Sequence, residues 1–422
     1  MTSKMTIGSA IETLATELPV RFTAYDGSSA GPADSPIGLK LLNERGLSFL
    51  LTAPGDLGMA RAYVSGDLEI EGVHPGDPYD ALVLMLDRMK FRRPSATEAV
   101  TLLRGLGVQH LRPPTPPAEE RVPRWRRTLG GLRHSMGRDA AAISHHYDVS
   151  NRFYELVLGP SMTYTCAVYP TETSTLEEAQ FEKYDLVARK LDLKPGQRLL
   201  DVGCGWGGMV RHAAREYGVK ALGVTLSLQQ AQWAKEAIDR EGLGDLAEVR
   251  HLDYRDVLES NFDAVSSIGL TEHIGVRNYP SYFGFLHDRL RPEGRLLNHC
   301  ITRPHNKHEE TGAFIDRYVF PDGELTGSGR IISAAQDAGF EVVHEENFRR
   351  HYAMTLAGWC HNLRDNWDEC VAEVGEGTAR VWGIYMAGSR LGFERNKIQL
   401  HHVLAGRTDE HGNDGFALRP TW

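Results

Sequence analysis

The stretch "LLDVGCGWGG", residues 199–208, runs from an apolar segment into four glycines within six positions. Glycine is needed where a chain leaves a strand in a sharp turn and a ligand must approach the backbone with no Cβ in the way. Gly203, Gly205 and Gly208 also satisfy the G-x-G-x-x-G dinucleotide pattern, so the loop alone leaves the nucleotide open.

On either side of this loop, short apolar runs alternate with helical periodicity. "RLLDVGCG", "KALGVTLS", "AEVRHLDY", "FDAVSSIG" and "GRLLNHCI" read as strands, and "GMVRHAAREYG", "SLQQAQWAKEAIDREG" and "YPSYFGFLHDRLR" as the helices between them. The alternation predicts an α/β fold, a Rossmann-like doubly wound parallel sheet with ligands at the carboxyl ends of its strands. A nicotinamide enzyme should end its next strand in an acid, about 20 residues on, to hold the ribose. Here that strand ends in "GVTLS", with Thr225 and Ser227, which argues against NAD.

Composition bounds the rest. A chain of 422 residues, 41% of them hydrophobic, can support two domains. Its net charge of -9, from 47 basic and 56 acidic residues, does not suggest a nucleic-acid partner. Five cysteines without a Cys-x-x-Cys pair fit a reducing cytoplasm, and neither they nor His145 and His146 have the spacing of a metal site, so no metal is expected. The amino terminus reads as an ordinary helix rather than a secretory signal. The longest apolar run near the front, "ALVLML", is far short of the roughly 20 residues of a membrane span, so membrane contact is expected to be peripheral.

Residues 1–110 read as a small N-terminal α+β domain associated with lipid or membrane, with strand-like "VRFTAY" and "LSFLLTA" before a helical "PYDALVLMLDRM". Residues 111–139 read as a Pro/Arg-rich linker. Five prolines between 111 and 123 favour an extended chain, and residues 121–138 carry six arginines, Trp125 and no acid. That basic stretch suits an anionic lipid surface, and equally a solvated face packed on an acidic domain. Residues 140–422 form the expected catalytic domain.

"DVGCGWGG", "GVTLSLQQ" and "LDYRD" together resemble the S-adenosylmethionine segments of class I methyltransferases. The resemblance implies Gly203 and Gly205 against the amino-acid part of S-adenosyl-L-methionine, Thr225 and Gln230 near the ribose, and Asp253 and Tyr254 near the adenine, with Tyr164 and Thr165 also at the cofactor. The longer series "HHYDVSNRFYELVLGPSMTYTCAVYP", "EHIGVRNYPSYF", "NHCI" and "DRYVFPDGEL" resembles the cyclopropane-fatty-acid synthase family, which includes the mycolic acid cyclopropane synthases. The front domain is similar to that of actinobacterial members that make 10-methylene and 10-methyl (tuberculostearic) acyl chains.

Family chemistry then supplies expectations. A cis double bond takes the sulfonium methyl, and the resulting carbocation loses a proton to a bound bicarbonate. The residues that match the bicarbonate site are Cys166, Glu272, His299, the backbone of Ile301, and Tyr352. An ionised carboxylate is an acceptor-only partner for the bicarbonate proton, while histidine and tyrosine can donate to its oxygens. Tyr164, Tyr184, Tyr282, Phe283, Tyr318 and Trp359 offer π faces to a cation. Each has a plainer reading: Glu272 and His273 as a helix start, Cys166 as a small buried hydrophobe, the aromatics as core. Two departures stand out. Ser389 occupies a position where some relatives carry cysteine, which disfavours a covalent thiol, and Thr271 replaces an aromatic before the Glu-His pair, which is expected to tip the product toward methylene.

The expected activity is transfer of a one-carbon unit to the double bond of an unsaturated, oleoyl-type phospholipid chain, giving a 10-methylene acyl chain. The alternatives are a cyclopropane product, a lipid-binding protein with a vestigial methyltransferase fold, and a small-molecule methyltransferase. The expected place is the cytoplasm, peripheral at the inner face of the membrane, and the reading leaves room for a partner reductase and a homodimer.

Overall fold

The computed structural model describes residues 5–120 and 150–422, apart from residues 308, 310, 321 and 322. The basic stretch 121–138 and His145 and His146 lie outside the described residues. Two compact units are present. The first gathers residues 5–120 with Gly312–Val319 and Trp359–Leu391, and the second holds the remainder. No helix among the described residues is long and apolar enough to cross a membrane.

In the first unit, β1 (Ala15–Glu17) pairs with β6 (Lys90–Phe91). A second sheet has the order β3-β2-β4-β5, formed by Ser29–Ala30, Arg21–Ala24, Gly38–Leu41 and Leu68–Glu71. Val20, Phe22, Leu39, Leu41 and Phe49 form its core. "LSFLLTA", expected as a strand, instead lies largely within the helix Glu44–Thr52. The Asn43 side chain accepts the Gly46 N–H, and Glu44 sits in the positive first turn, so a start signal just upstream overrides a short apolar run whose period is ambiguous.

The second unit is built on a seven-stranded sheet of order β12-β13-β11-β10-β7-β8-β9. Strands β7 (Arg198–Val202), β8 (Lys220–Thr225), β9 (Ala247–His251), β10 (Phe262–Ile268) and β11 (Leu290–Thr302) are the five read from sequence, and all run parallel. Residues alternate between two apolar layers: Leu199, Ala221 and Ala264 face one, Leu200, Leu222 and Val265 the other. Helices Gly208–Tyr217, Leu228–Arg240 and Tyr279–Arg289 supply the coverings, as their periodicity predicts.

The sheet is not wholly parallel. β13 (Gln399–Arg407) enters between β11 and β12 (Phe340–Asn347) and runs antiparallel to both. Its register sets His402 opposite His299 and His401 opposite Cys300.

Candidate active site

The glycine loop follows β7 directly. Gly203, Gly205 and Gly207 have φ of 74°, 54° and 74°, the left-handed region that a Cβ disfavours. Nothing stands within 4 Å of where a Gly205 Cβ would be, whereas a Gly203 Cβ would meet Leu270 at 3.1 Å. The loop opens helix Gly208–Tyr217, whose N-cap is Gly207 and which has no side-chain cap, so its first backbone N–H groups can receive a carboxylate.

At the end of β8, Thr225 Oγ1 donates to Gln230 Oε1 at 2.8 Å and accepts the Ser227 N–H at 3.2 Å, while Ser227 caps helix Leu228–Arg240. After β9, Asp253 is bound by Arg255 through both Nε and a terminal nitrogen, at 2.8 and 2.6 Å. Tyr254 meets Tyr282 and Phe285 edge-on. The Tyr164 ring packs near Tyr154, which in turn meets Trp206 of the glycine loop with centroids 4.8 Å apart. Thr165 lies against Gly269, where a Cβ would come within 2.8 Å of its methyl, and its hydroxyl accepts from Lys183 at 2.9 Å. Burial lowers the Lys183 ammonium to about 7 and raises the Asp201 carboxyl to about 7.

The second cluster stands at the neighbouring strand ends. β10 ends at Ile268, which pairs with His299 of β11, and Gly269 donates its N–H to the His299 carbonyl at 2.8 Å. This fixes the short helix Thr271–Ile274, and with it Glu272, beside β11. Ile301, two residues after His299 on the same face, donates its N–H to Glu272 Oε1 at 3.4 Å. Glu272 Oε2 and His299 Nε2 are both buried and have no hydrogen-bond partner among the described residues. A buried polar atom without a partner costs about 1–3 kcal/mol, so two such atoms in one cluster favour a small polar ligand that both accepts and donates. Burial raises the Glu272 carboxyl to about 7 and, reinforced by Lys183 and Lys190, holds His299 well below its usual value. His299 is therefore neutral.

Cys166 and Tyr352 are tied to this cluster through Phe348. The Cys166 thiol faces the carbonyls of Ala167 and Phe348, at 3.2 and 3.8 Å, and burial pushes it upward, so it is an inert thiol. The Phe348 ring meets that of His402 at 4.4 Å, and Tyr352 follows one helical turn later, stacked on Phe393. Of the other aromatics, Tyr184 bonds Thr163, Tyr282 bonds Ser267 and Phe283 is core. Tyr318 and Trp359 belong to the first unit, as does Ser389. The His273 ring lies against that of Phe320, with centroids 5.6 Å apart. Thr271 is fully buried and accepts a hydrogen bond from Asn298.

Sequence reasoning did not find Lys183, Lys190 or His402. The available signal was two lysines on the apolar stripe of helix Leu176–Lys190, with Ala179 and Leu186, and a histidine pair inside an apolar strand.

The description "Mycolic acid cyclopropane synthetase" is that of the family model matching residues 134–403. A Mycobacterium tuberculosis protein named "Probable fatty acid methyltransferase" is 63% identical over 96% of this chain and 95% of its own. The cyclopropane-fatty-acyl-phospholipid synthase of Escherichia coli is 36% identical over 63% of this chain and 68% of its own. A mycolic acid cyclopropane synthase solved with SAH and CTAB superposes with a TM-score of 0.60 at 32% identity, over 63% of this chain and 97% of that one. The sheet is thus that of a class I methyltransferase, and the chain belongs to the mycolic acid cyclopropane synthetase family of S-adenosylmethionine-dependent enzymes.

Proposed function

We propose that this protein transfers a one-carbon unit from S-adenosylmethionine to the cis double bond of an unsaturated acyl chain, oleoyl phospholipid by first choice, at the inner face of the cytoplasmic membrane. When bound, S-adenosylmethionine supplies an electrophilic methyl and bicarbonate supplies a base. Gly203, Gly205, Thr225, Gln230, Asp253, Tyr254, Tyr164 and Thr165 would hold the first. Glu272, His299, the Ile301 backbone and Tyr352 would hold the second, with Cys166 contributing packing. One observation carries this reading: the orphaned Glu272 Oε2 and His299 Nε2, an acceptor and a potential donor, match the two hydrogen-bonding sides of bicarbonate.

Ionised Glu272 would accept a hydrogen bond from the anion's O–H, and His299 would donate one to an oxygen, so the anion would be oriented rather than free to rotate. The relatives' names support the acyl substrate. The test is purified protein with S-adenosylmethionine and oleoyl phospholipid vesicles, fatty acids being identified by mass spectrometry. A new acyl product whose rate falls in carbon-dioxide-stripped buffer and recovers with added bicarbonate is expected. No new product, or indifference to bicarbonate, overturns the reading.

A 10-methylene product is preferred over a cyclopropane because buried Thr271 stands directly before Glu272, where a small polar neighbour leaves the base room to meet a different proton. Thr271→Phe should move the product ratio toward cyclopropane. An unchanged ratio refutes this assignment.

A further inference from the structure

A line of hydrogen-bonding groups runs behind the anion cluster, within the second unit. Glu346 on β12 lies 2.5 Å from the Lys190 ammonium, Lys190 Nζ lies 3.3 Å from His402 Nδ1, and His402 Nε2 lies 2.9 Å from His299 Nδ1. The line ends at His299 Nε2, the atom with no partner among the described residues. Its outer end is wet: the Glu346 side chain is 40% exposed, while that of Lys190 is fully buried. Phe348 packs on His402, and the Phe348 and Trp422 rings flank Lys190 at 5.2 and 5.8 Å, so water cannot substitute for either partner easily.

Only one end of this line has a fixed polarity. An ammonium has three donors and no acceptor, so His402 Nδ1 must be the acceptor. A neutral imidazole that accepts at one nitrogen donates at the other. His402 Nε2 therefore carries hydrogen, His299 Nδ1 must accept it, and His299 Nε2 is left as the N–H.

We propose that Lys190 and His402 are positioning residues that lock His299 in the Nε2–H tautomer, so that it offers a donor to the bound anion. This rests on the bicarbonate reading for its purpose, though not for its geometry.

The charge states agree. Burial raises the Glu346 carboxyl, but the Lys190 hydrogen bond and charge outweigh it and leave Glu346 below the usual carboxylate range. Lys190 is itself lowered by burial, opposed by Glu346, and it occupies the last turn of helix Leu176–Lys190, where the backbone dipole favours a cation. The 2.5 Å contact has the length of a charge-assisted hydrogen bond from an ammonium to a carboxylate. His402 is held well below its usual value by burial and by His299, Lys190, Lys183 and His344, so both imidazoles are neutral and each must choose a tautomer.

The test reads the tautomer directly. In protein labelled with 15N-histidine, with no bicarbonate present, long-range 1H–15N spectra should show His299 as Nε2–H, its signals identified by their loss in His299→Gln. His402→Leu and Lys190→Met should shift His299 toward Nδ1–H or a mixture, and lower kcat about a hundredfold, the scale of one lost preorganised donor, with KM for S-adenosylmethionine little changed. His402→Gln can accept from Lys190 at Oε1 and donate to His299 from Nε2, so it should keep both the tautomer and most of the turnover. Far-UV circular dichroism and melting curves confirm that each variant is folded. Wild-type His299 found as Nδ1–H, or a tautomer indifferent to His402→Leu and Lys190→Met, overturns the proposal. So does His402→Gln behaving as His402→Leu. If the tautomer responds as stated while turnover ignores bicarbonate, the positioning proposal stands and the bicarbonate reading falls.

Discussion

Replacing Glu272 by glutamine should make the protein more stable and nearly inactive, in a way that depends on pH. Burial raises the Glu272 carboxyl from 4.5 to about 7, a difference that corresponds to about 3 kcal/mol spent on ionising it in the folded state. An acid whose folded value is raised binds its proton more tightly when folded. The contribution of Glu272 to stability is therefore fullest below about pH 4.5, falls as pH rises toward 7, and is flat above. Glutamine cannot ionise, so Glu272→Gln should escape this fall and exceed wild type by about 3 kcal/mol at pH 8, with the gap closing toward pH 5. Urea unfolding at several pH values in carbon-dioxide-free buffer measures it. Over the same range wild-type turnover should rise with an apparent pKa near 7 as the carboxylate forms, whereas the variant should show no such limb and lose about 10²–10³-fold in kcat. A stability gap that does not widen with pH, or a variant retaining more than about a tenth of wild-type turnover, would refute the assignment of Glu272 as a dry, functional carboxylate.

Other perturbations follow from the same geometry. Thr225→Val removes the donor to Gln230 Oε1 and leaves a buried acceptor unmatched, so calorimetry should show S-adenosylmethionine binding weakened about tenfold or more, for a loss of about 1–3 kcal/mol. Gly208→Ala would set a Cβ 2.0 Å from the Tyr184 hydroxyl, and chemical denaturation should register a loss of about 1–3 kcal/mol as that ring is displaced. All five cysteines are free and buried, so a thiol reagent should label none in the native protein and five in denaturant. Cys166→Ala should keep turnover within about tenfold, because its thiol faces backbone carbonyls.

The five parallel strands were legible because each is a short apolar run between glycine, proline or helical segments, and their two-sided burial leaves little ambiguity. "LSFLLTA" was not, since seven apolar-rich residues fit either period and the deciding Asn43 cap lies outside them. The return of Trp359–Leu391 to the first unit has no compositional signal, because helices of both units read alike. In the site, Glu272, His299 and Ile301 were expected through the family resemblance alone, and strand register accounts for their standing beside one another. Lys190 and His402 were not expected. A lysine on an apolar stripe looks like a snorkelling surface residue until the partner strand that buries it is known, and that strand lies more than 200 residues later.

The late position of β13 also governs how the second unit can fold. β12 is synthesised before β13 yet, among the described residues, pairs with β13 alone, and β11 keeps an open edge until the same strand arrives. During synthesis both present unpaired backbone to solvent for as long as Gln399–Arg407 is missing. Closure of the sheet is thus a long-range event that waits on β13, and the nascent chain's exposure to aggregation and to chaperones is set by that interval.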